Sequence, residues 1–204
     1  MDRLLCVRCG DSIHPDTASR NAGLCIPCTR GNQLTTEQRN ENHRKQREEE
    51  RARLESPQYK YWSSLISRVY GDDGGFGSLQ HGDRLYYLIN VLTGEVHNGG
   101  FDQFFSNSSG DHYAETVEAL SEVGDQSTLR LLREAKSALF TQDEVPANRI
   151  ARFELMATSS KEHPRYESAW KALEELDTRF YASASNVDAA LDRVVKTYSL
   201  YSDA

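Results

Sequence analysis

The chain has no apolar run approaching the roughly 18–20 residues that a membrane span needs. Its first residues, Met1-Asp2-Arg3-Leu4-Leu5, lack the apolar core of a secretion signal, so a soluble, cytoplasmic protein is the expectation. No segment alternates with period two for long enough to read as a strand, and nothing repeats at solenoid spacing. Basic charge is also scarce: 24 Lys and Arg stand against 31 Asp and Glu, a formal charge of −7. That balance argues against a general nucleic-acid binder, which needs a basic footprint, and leaves room for a protein that presents acid to a basic partner. The Gly-rich stretch at 71–77 is followed by no Gly-Lys-Ser/Thr, which excludes a phosphate-binding loop.

Cysteine is absent from everything after position 28. Composition then divides the 204 residues into three segments: 1–30 with all four cysteines, an almost wholly polar 31–58, and 59–204, where apolar residues return at helical spacing. The cysteines form two C-x2-C knuckles, Cys6/Cys9 and Cys25/Cys28, separated by fifteen residues. This spacing lets two tight turns aim four thiolates at one ion, the pattern of a structural zinc ribbon with no open coordination position. Disulfides suit a secreted protein, a thioredoxin-type pair needs a strand and helix around it, and an iron–sulfur cluster is the less common use of paired knuckles.

Segment 31–58 is rich in helix formers and in opposite charges three or four residues apart, such as Glu41 with Lys45 and Glu49 with Arg53, and reads as a charged helical linker. Segment 59–204 reads as one all-α domain. Ser56-Pro57 is an N-cap followed by proline at the first helical position, starting a helix that runs toward Tyr70. A second helix covers about 78–96, Asn98-Gly99-Gly100 breaks it, and a short helical turn carries Phe101, Phe104 and Phe105. Further helices are expected over about 113–123, 127–140, 146–158, 164–184 and 187–201.

The most distinctive stretch runs from Glu95 to Asp111. Asn98-Gly99-Gly100 suits a helix end with positive φ, the phenylalanines suit a buried turn, and Asp111 suits the cap of the next helix. With Tyr86-Tyr87-Leu88-Ile89-Asn90, Glu95, Asn98, Gly99, Gly100, Phe101, Gln103, Phe104, Phe105, Asn107 and Ser109-Gly110, this stretch resembles the DNA-mimic protein family, bacterial all-helical domains. The resemblance continues through Ala119-Leu120 and Val123-Gly124, where the family's usual alanine is replaced here by Asp125. It implies a helical, dimeric domain and, for members that act as the family name suggests, carboxylates at DNA-like spacing that occupy the DNA-binding face of a transcription regulator. The motif residues themselves read as fold determinants.

The charges are where such mimicry has to show. Residues 81–125 hold eight acids (Asp83, Glu95, Asp102, Asp111, Glu115, Glu118, Glu122 and Asp125) against Arg84 alone. Glu115, Glu118 and Glu122 share one helical face, with neighbouring carboxylates about 5–6 Å apart. The sequence therefore nominates Glu95, Asp102, Asp111, Glu115, Glu118 and Glu122 as an acidic face for a basic protein partner, with no enzymatic activity and no direct contact with nucleic acid or membrane. A toxin-neutralising immunity protein would also present acid. A small hydrolase would need His97 with Asp102, or His112, in a concave pocket, and the motif supplies neither a third orienting group nor an oxyanion hole.

Overall fold

The computed structural model describes residues 2–31, 36–71 and 74–202. Residues 32–35 of the linker and 72–73 of the glycine-rich turn therefore lie outside the described part. The chain divides into two units, residues 1–59 and 60–204.

In the first unit, an antiparallel pair of two-residue strands, β1 (Leu4–Leu5) and β2 (Ser12–Ile13), brackets the first knuckle. Two residues are too few for a period to register, which is why no strand was expected. Two short helices follow, α1 (Pro15–Arg20) and α2 (Ile26–Thr29). A small core of Cys6, Ile13, Ala18, Cys25 and Cys28 lies between them. Helix α3 (Thr36–Glu55) has an almost entirely polar sequence and is laced by exposed ion pairs, Glu41–Arg44 at 2.7 Å, Glu41–Lys45 at 3.8 Å and Glu50–Arg53 at 2.7 Å. Arg53 pairs three residues back, so the expected Glu49–Arg53 pair gives way to Glu50–Arg53. Helix α3 is also more than a spacer: Arg39 grips Asp11 of the first knuckle through both guanidinium nitrogens, at 2.5 and 2.8 Å. Such a bidentate pair fixes orientation as well as distance.

Ser56 accepts the Tyr59 N–H at 3.2 Å and starts α4 (Pro57–Tyr70), with proline in the position where a missing N–H costs nothing. The second unit is built around α5 (His81–Ser106), whose two halves meet at a kink. It packs against α6 (Tyr113–Glu122), α8 (Arg149–Leu155), α9 (Tyr166–Ala182) and α10 (Ala184–Tyr198), while α7 (Gln126–Phe140) packs against α9. Being covered on most sides, α5 is apolar on most sides: Leu85, Leu88, Ile89, Leu92 and Val96 before the kink, and Phe101, Phe104 and Phe105 after it, are buried. All the helices expected in 59–204 are present, with ends shifted by a few residues. Helix α8 is shorter than expected at both ends: Pro146 and Ala147 precede it, and Asn148 caps it through the N–H groups of Ile150 and Ala151.

The kink has a specific cause. Gly99 and Gly100 leave helical geometry, and Gly100 takes φ +73°. The freed N–H of Phe101 is accepted by Asp177 of α9 at 2.9 Å, so a carboxylate from another helix caps the second half of α5. A Cβ on Gly100 would collide with that carboxylate. Gly100→Ala should therefore lose about 3 kcal/mol of stability, combining left-handed strain with displacement of the cap. Gly124 has φ +74° but open space around it, so Gly124→Ala should lose only about 1 kcal/mol. Urea unfolding of the two variants beside the wild type checks the difference.

Candidate functional site

Two places hold chemistry: the cysteine cluster in the first unit and the motif with its acids in the second. In the cluster, the four sulfur atoms lie within 4.8 Å of one another. Cys6 and Cys28 are 3.5 Å apart and Cys9 and Cys25 3.7 Å, close to the roughly 3.8 Å edge of a tetrahedron of thiolates around an ion at about 2.3 Å. Backbone N–H groups support the sulfurs, Cys25 N–H donating to Cys6 at 3.2 Å and Cys28 N–H to Cys25 at 3.4 Å. At Cys6, burial opposes ionisation, but the N–H groups of Cys25, Arg8 and Cys9 outweigh it and bring the thiol down to about 6. Burial first, then the crowding of Cys25, Cys6 and Cys9, pushes the Cys28 thiol up. One anion forms readily here and the next is resisted, a condition that a divalent cation relieves. The four residues can thus hold a metal ion. His14 stands apart as the N-cap of α1, accepting the Asp16 N–H at 3.3 Å.

In the second unit the motif is organised by Glu95. Its carboxylate accepts from Gln103 at 2.6 Å, Asn107 at 2.9 Å and Ser109 at 3.0 Å, and Asn98 holds Gln103 from the other side at 3.0 Å. The loop after α5 is then locked by Arg152, whose side chain is fully buried. Arg152 donates to the carbonyls of Phe105 at 2.6 Å, Asn107 at 2.6 Å and Pro146 at 2.8 Å, and pairs with Asp111 at 2.8 Å. Gly110 is required by this guanidinium, because a Cβ there would come within 2.7 Å of Arg152 Nε. Asp111 consequently does not cap α6; the residue before that helix is His112, which makes no side-chain cap.

The acidic face nominated from sequence separates into two groups. Glu95, Asp102 and Asp111 are half-buried and engaged internally, Asp102 accepting from Thr158 at 2.6 Å. Asp83 is buried against Arg68 at 2.6 Å, and Asp125 is buried as the N-cap of α7, accepting the Thr128 N–H at 3.0 Å. Five of the eight acids in 81–125 therefore also have partners within the fold, and Glu95, Asp102 and Asp111 of the nominated face are less exposed than Glu115, Glu118 and Glu122. Glu115, Glu118 and Glu122 remain exposed on α6, with Thr116, Ala119 and Leu120 buried on its other side. Glu118 makes no hydrogen bond or ion pair among the described residues. Glu115 lies 3.6 Å from His112. Glu122 is bound by His81 at 2.8 Å and Tyr198 at 3.0 Å; its carboxyl is lowered chiefly by the His81 hydrogen bond. Arg193 marks the end of the row, donating to the Val123 carbonyl at 2.8 Å.

The residues nominated for a hydrolase have other neighbours. His97 is exposed and stacked on Tyr181, with ring centroids 5.5 Å apart, while Asp102 bonds to Thr158. His112 packs its ring on Phe76 at 4.1 Å. Sequence reasoning missed Asp177, Arg152 and the Arg39–Asp11 clamp, and no local pattern announces any of them. Among the described residues, no helix is long and apolar enough to cross a membrane.

Fold and site together define a protein with a cluster of four cysteines that could hold a metal ion and an all-α unit that carries an exposed row of carboxylates. The chain belongs to the DMP19-like protein family, whose model matches residues 77–198. That span contains the whole motif and all of α6, in agreement with the DNA-mimic resemblance. No curated protein and no solved structure matches the chain.

Burial raises the Asp177 carboxyl, and the charges of Asp102 and Glu174 add to this against the opposing Phe101 N–H. A carboxyl raised by folding favours the folded state below its unfolded pKa, and that contribution is lost as pH rises through the folded value. Asp177→Asn keeps an acceptor for Phe101 without the charge. Its stability relative to the wild type should therefore improve between pH 4 and pH 7, which urea unfolding at the two pH values measures. Asp177→Ala, which removes the acceptor, should lose about 1–3 kcal/mol.

Proposed function

We propose that the second unit binds a basic, DNA-binding protein, a transcription regulator being the type case, by offering Glu115, Glu118 and Glu122 where that protein expects DNA phosphates. The observation that carries this reading is the α6 row, the most exposed part of the local acid excess, in which Glu118 has no partner among the described residues. Family membership supports it, and neighbouring carboxylates about 5–6 Å apart suit the spacing of groups that meet a phosphate-binding cleft. The role is one of binding and occupation, without catalysis. The protein works in the cytoplasm, where its regulator partner works, and two copies pair as the resemblance implies.

We further propose that Cys6, Cys9, Cys25 and Cys28 hold structural zinc. Four thiolates complete a tetrahedron and leave no site for substrate, so the ion's contribution is to the stability of a module whose own core is small.

Each part has its own test. Glu115→Gln/Glu118→Gln/Glu122→Gln should weaken capture of the partner from the native host about tenfold or more near 0.1 M salt, and flatten its salt dependence. Undiminished capture by the triple variant, or recovery of a toxin held equally well at high salt, would overturn the mimic reading. Elemental analysis should find one zinc per chain. Chelation should remove the dispersed amide signals of residues 2–31 while those of residues 74–202 persist. Absence of zinc, or a module unchanged by chelation, would contradict the metal assignment.

A further inference from the structure

The first unit carries a cleft that neither the metal nor the acidic row explains. Helices α1 and α2 border an open cleft of about 340 Å³, with Asp16, Thr17, Arg20 and Asn21 on one side and Ile26, Thr29 and Arg30 on the other. This volume is at the small end of the range typical of ligand sites.

The charges around the cleft are unevenly matched. Asp11 is taken by Arg39, Asp16 lies 3.5 Å from His14, and Arg8 donates to the Cys28 carbonyl at 2.9 Å. Arg20 and Arg30 are exposed, and their side chains make no hydrogen bond or ion pair among the described residues. In a chain with a net charge of −7, two unmatched guanidiniums therefore line one cleft. Ile26 is 51 % exposed on the same cleft, an apolar side chain with no partner in its own unit's core.

The walls are held before any ligand arrives. The turn that joins them is closed by Asn21 N–H to Thr17 at 3.1 Å, Gly23 N–H to Ala18 at 2.7 Å and Leu24 N–H to Asn21 at 2.9 Å. The cysteine cluster pins the start of α2. A preorganised site spares its ligand the cost of ordering the protein.

We propose that this cleft docks an acidic peptide segment of a partner protein, with Arg20 and Arg30 binding its carboxylates and Ile26 covering an adjacent aliphatic side chain. Guanidinium forks match carboxylates in geometry, and Thr17 and Asn21 add neutral hydrogen-bonding groups. Asp16 repels acid at its end of the cleft and so gives the peptide a direction. No aromatic residue lines the cleft to stack a nucleobase, which favours a peptide over a nucleic acid. The proposal is independent of the α6 row, which selects partners of the opposite charge.

The test uses the full-length, isotope-labelled, metal-loaded protein and an amidated hexapeptide alternating leucine and glutamate. The expected result is amide shifts centred on Thr17, Asn21 and Arg30, with binding at least about tenfold weaker in Arg20→Gln/Arg30→Gln. Arg20→Lys/Arg30→Lys keeps the charge and loses the fork, so it should fall in between. Both arginines are exposed, and unchanged signals from residues 74–202 and unchanged metal content verify folding. Equal binding of a leucine–glutamine peptide, indifference to the arginine variants, no shift at millimolar peptide, or tighter binding of oligothymidylate would each overturn the proposal.

Discussion

The second unit depends on a carboxylate that ends one helix and starts the next. Asp177 accepts the Phe101 N–H exactly where α5 leaves helical geometry, and Gly100 leaves the room for it. A continuous α5 would carry Phe101, Phe104 and Phe105 in a different direction. The capped kink instead turns all three into the core and delivers the chain to the loop that Glu95 and Arg152 then fix. Neither group acts alone: Glu95 gathers the side chains of Gln103, Asn107 and Ser109, while Arg152 gathers the carbonyls of Phe105, Asn107 and Pro146. The polar residues of the family motif are therefore bonded to one another and hold the loop.

This architecture changes the meaning of the acidic segment. By count, residues 81–125 carry a strong negative excess, yet most of those acids are working parts of the fold. Asp83 holds Arg68, Glu95 and Asp111 hold the loop, Asp102 holds Thr158, and Asp125 caps α7. The most exposed of the segment's acids are those of the α6 row. Its Glu122 end is partly neutralised by His81 when that histidine is protonated, and it borders Arg193. The α6 row is a short one: Glu118 has no partner among the described residues, Glu115 lies beside His112, and Glu122 is held by His81 and Tyr198.

Much of the fold could be read from the sequence because local signals produce it. Ser56-Pro57 starts α4, Asn98-Gly99-Gly100 breaks α5, and the paired C-x2-C knuckles do converge on one point. What could not be read depends on contacts between distant residues. Asp177 is seventy-six positions from Phe101, and Arg152 is forty-seven from Phe105. Arg152 sits on a short helix between Ala151 and Phe153, where an arginine looks like ordinary surface. How much of a nominated acid stays exposed is settled by tertiary packing, as the internal partners of Glu95, Asp102 and Asp111 show. The β1–β2 ladder escaped for a different reason, being shorter than the period that would reveal it.

The central claim is that the α6 row stands in for DNA, and competition tests it most directly. With the native partner bound to the immobilised protein, duplex DNA carrying that partner's own site should displace it completely. The amount of DNA needed should rise in proportion to the protein on the support. Simultaneous binding of the partner to DNA and to this protein, as a stable three-component complex, would contradict the account.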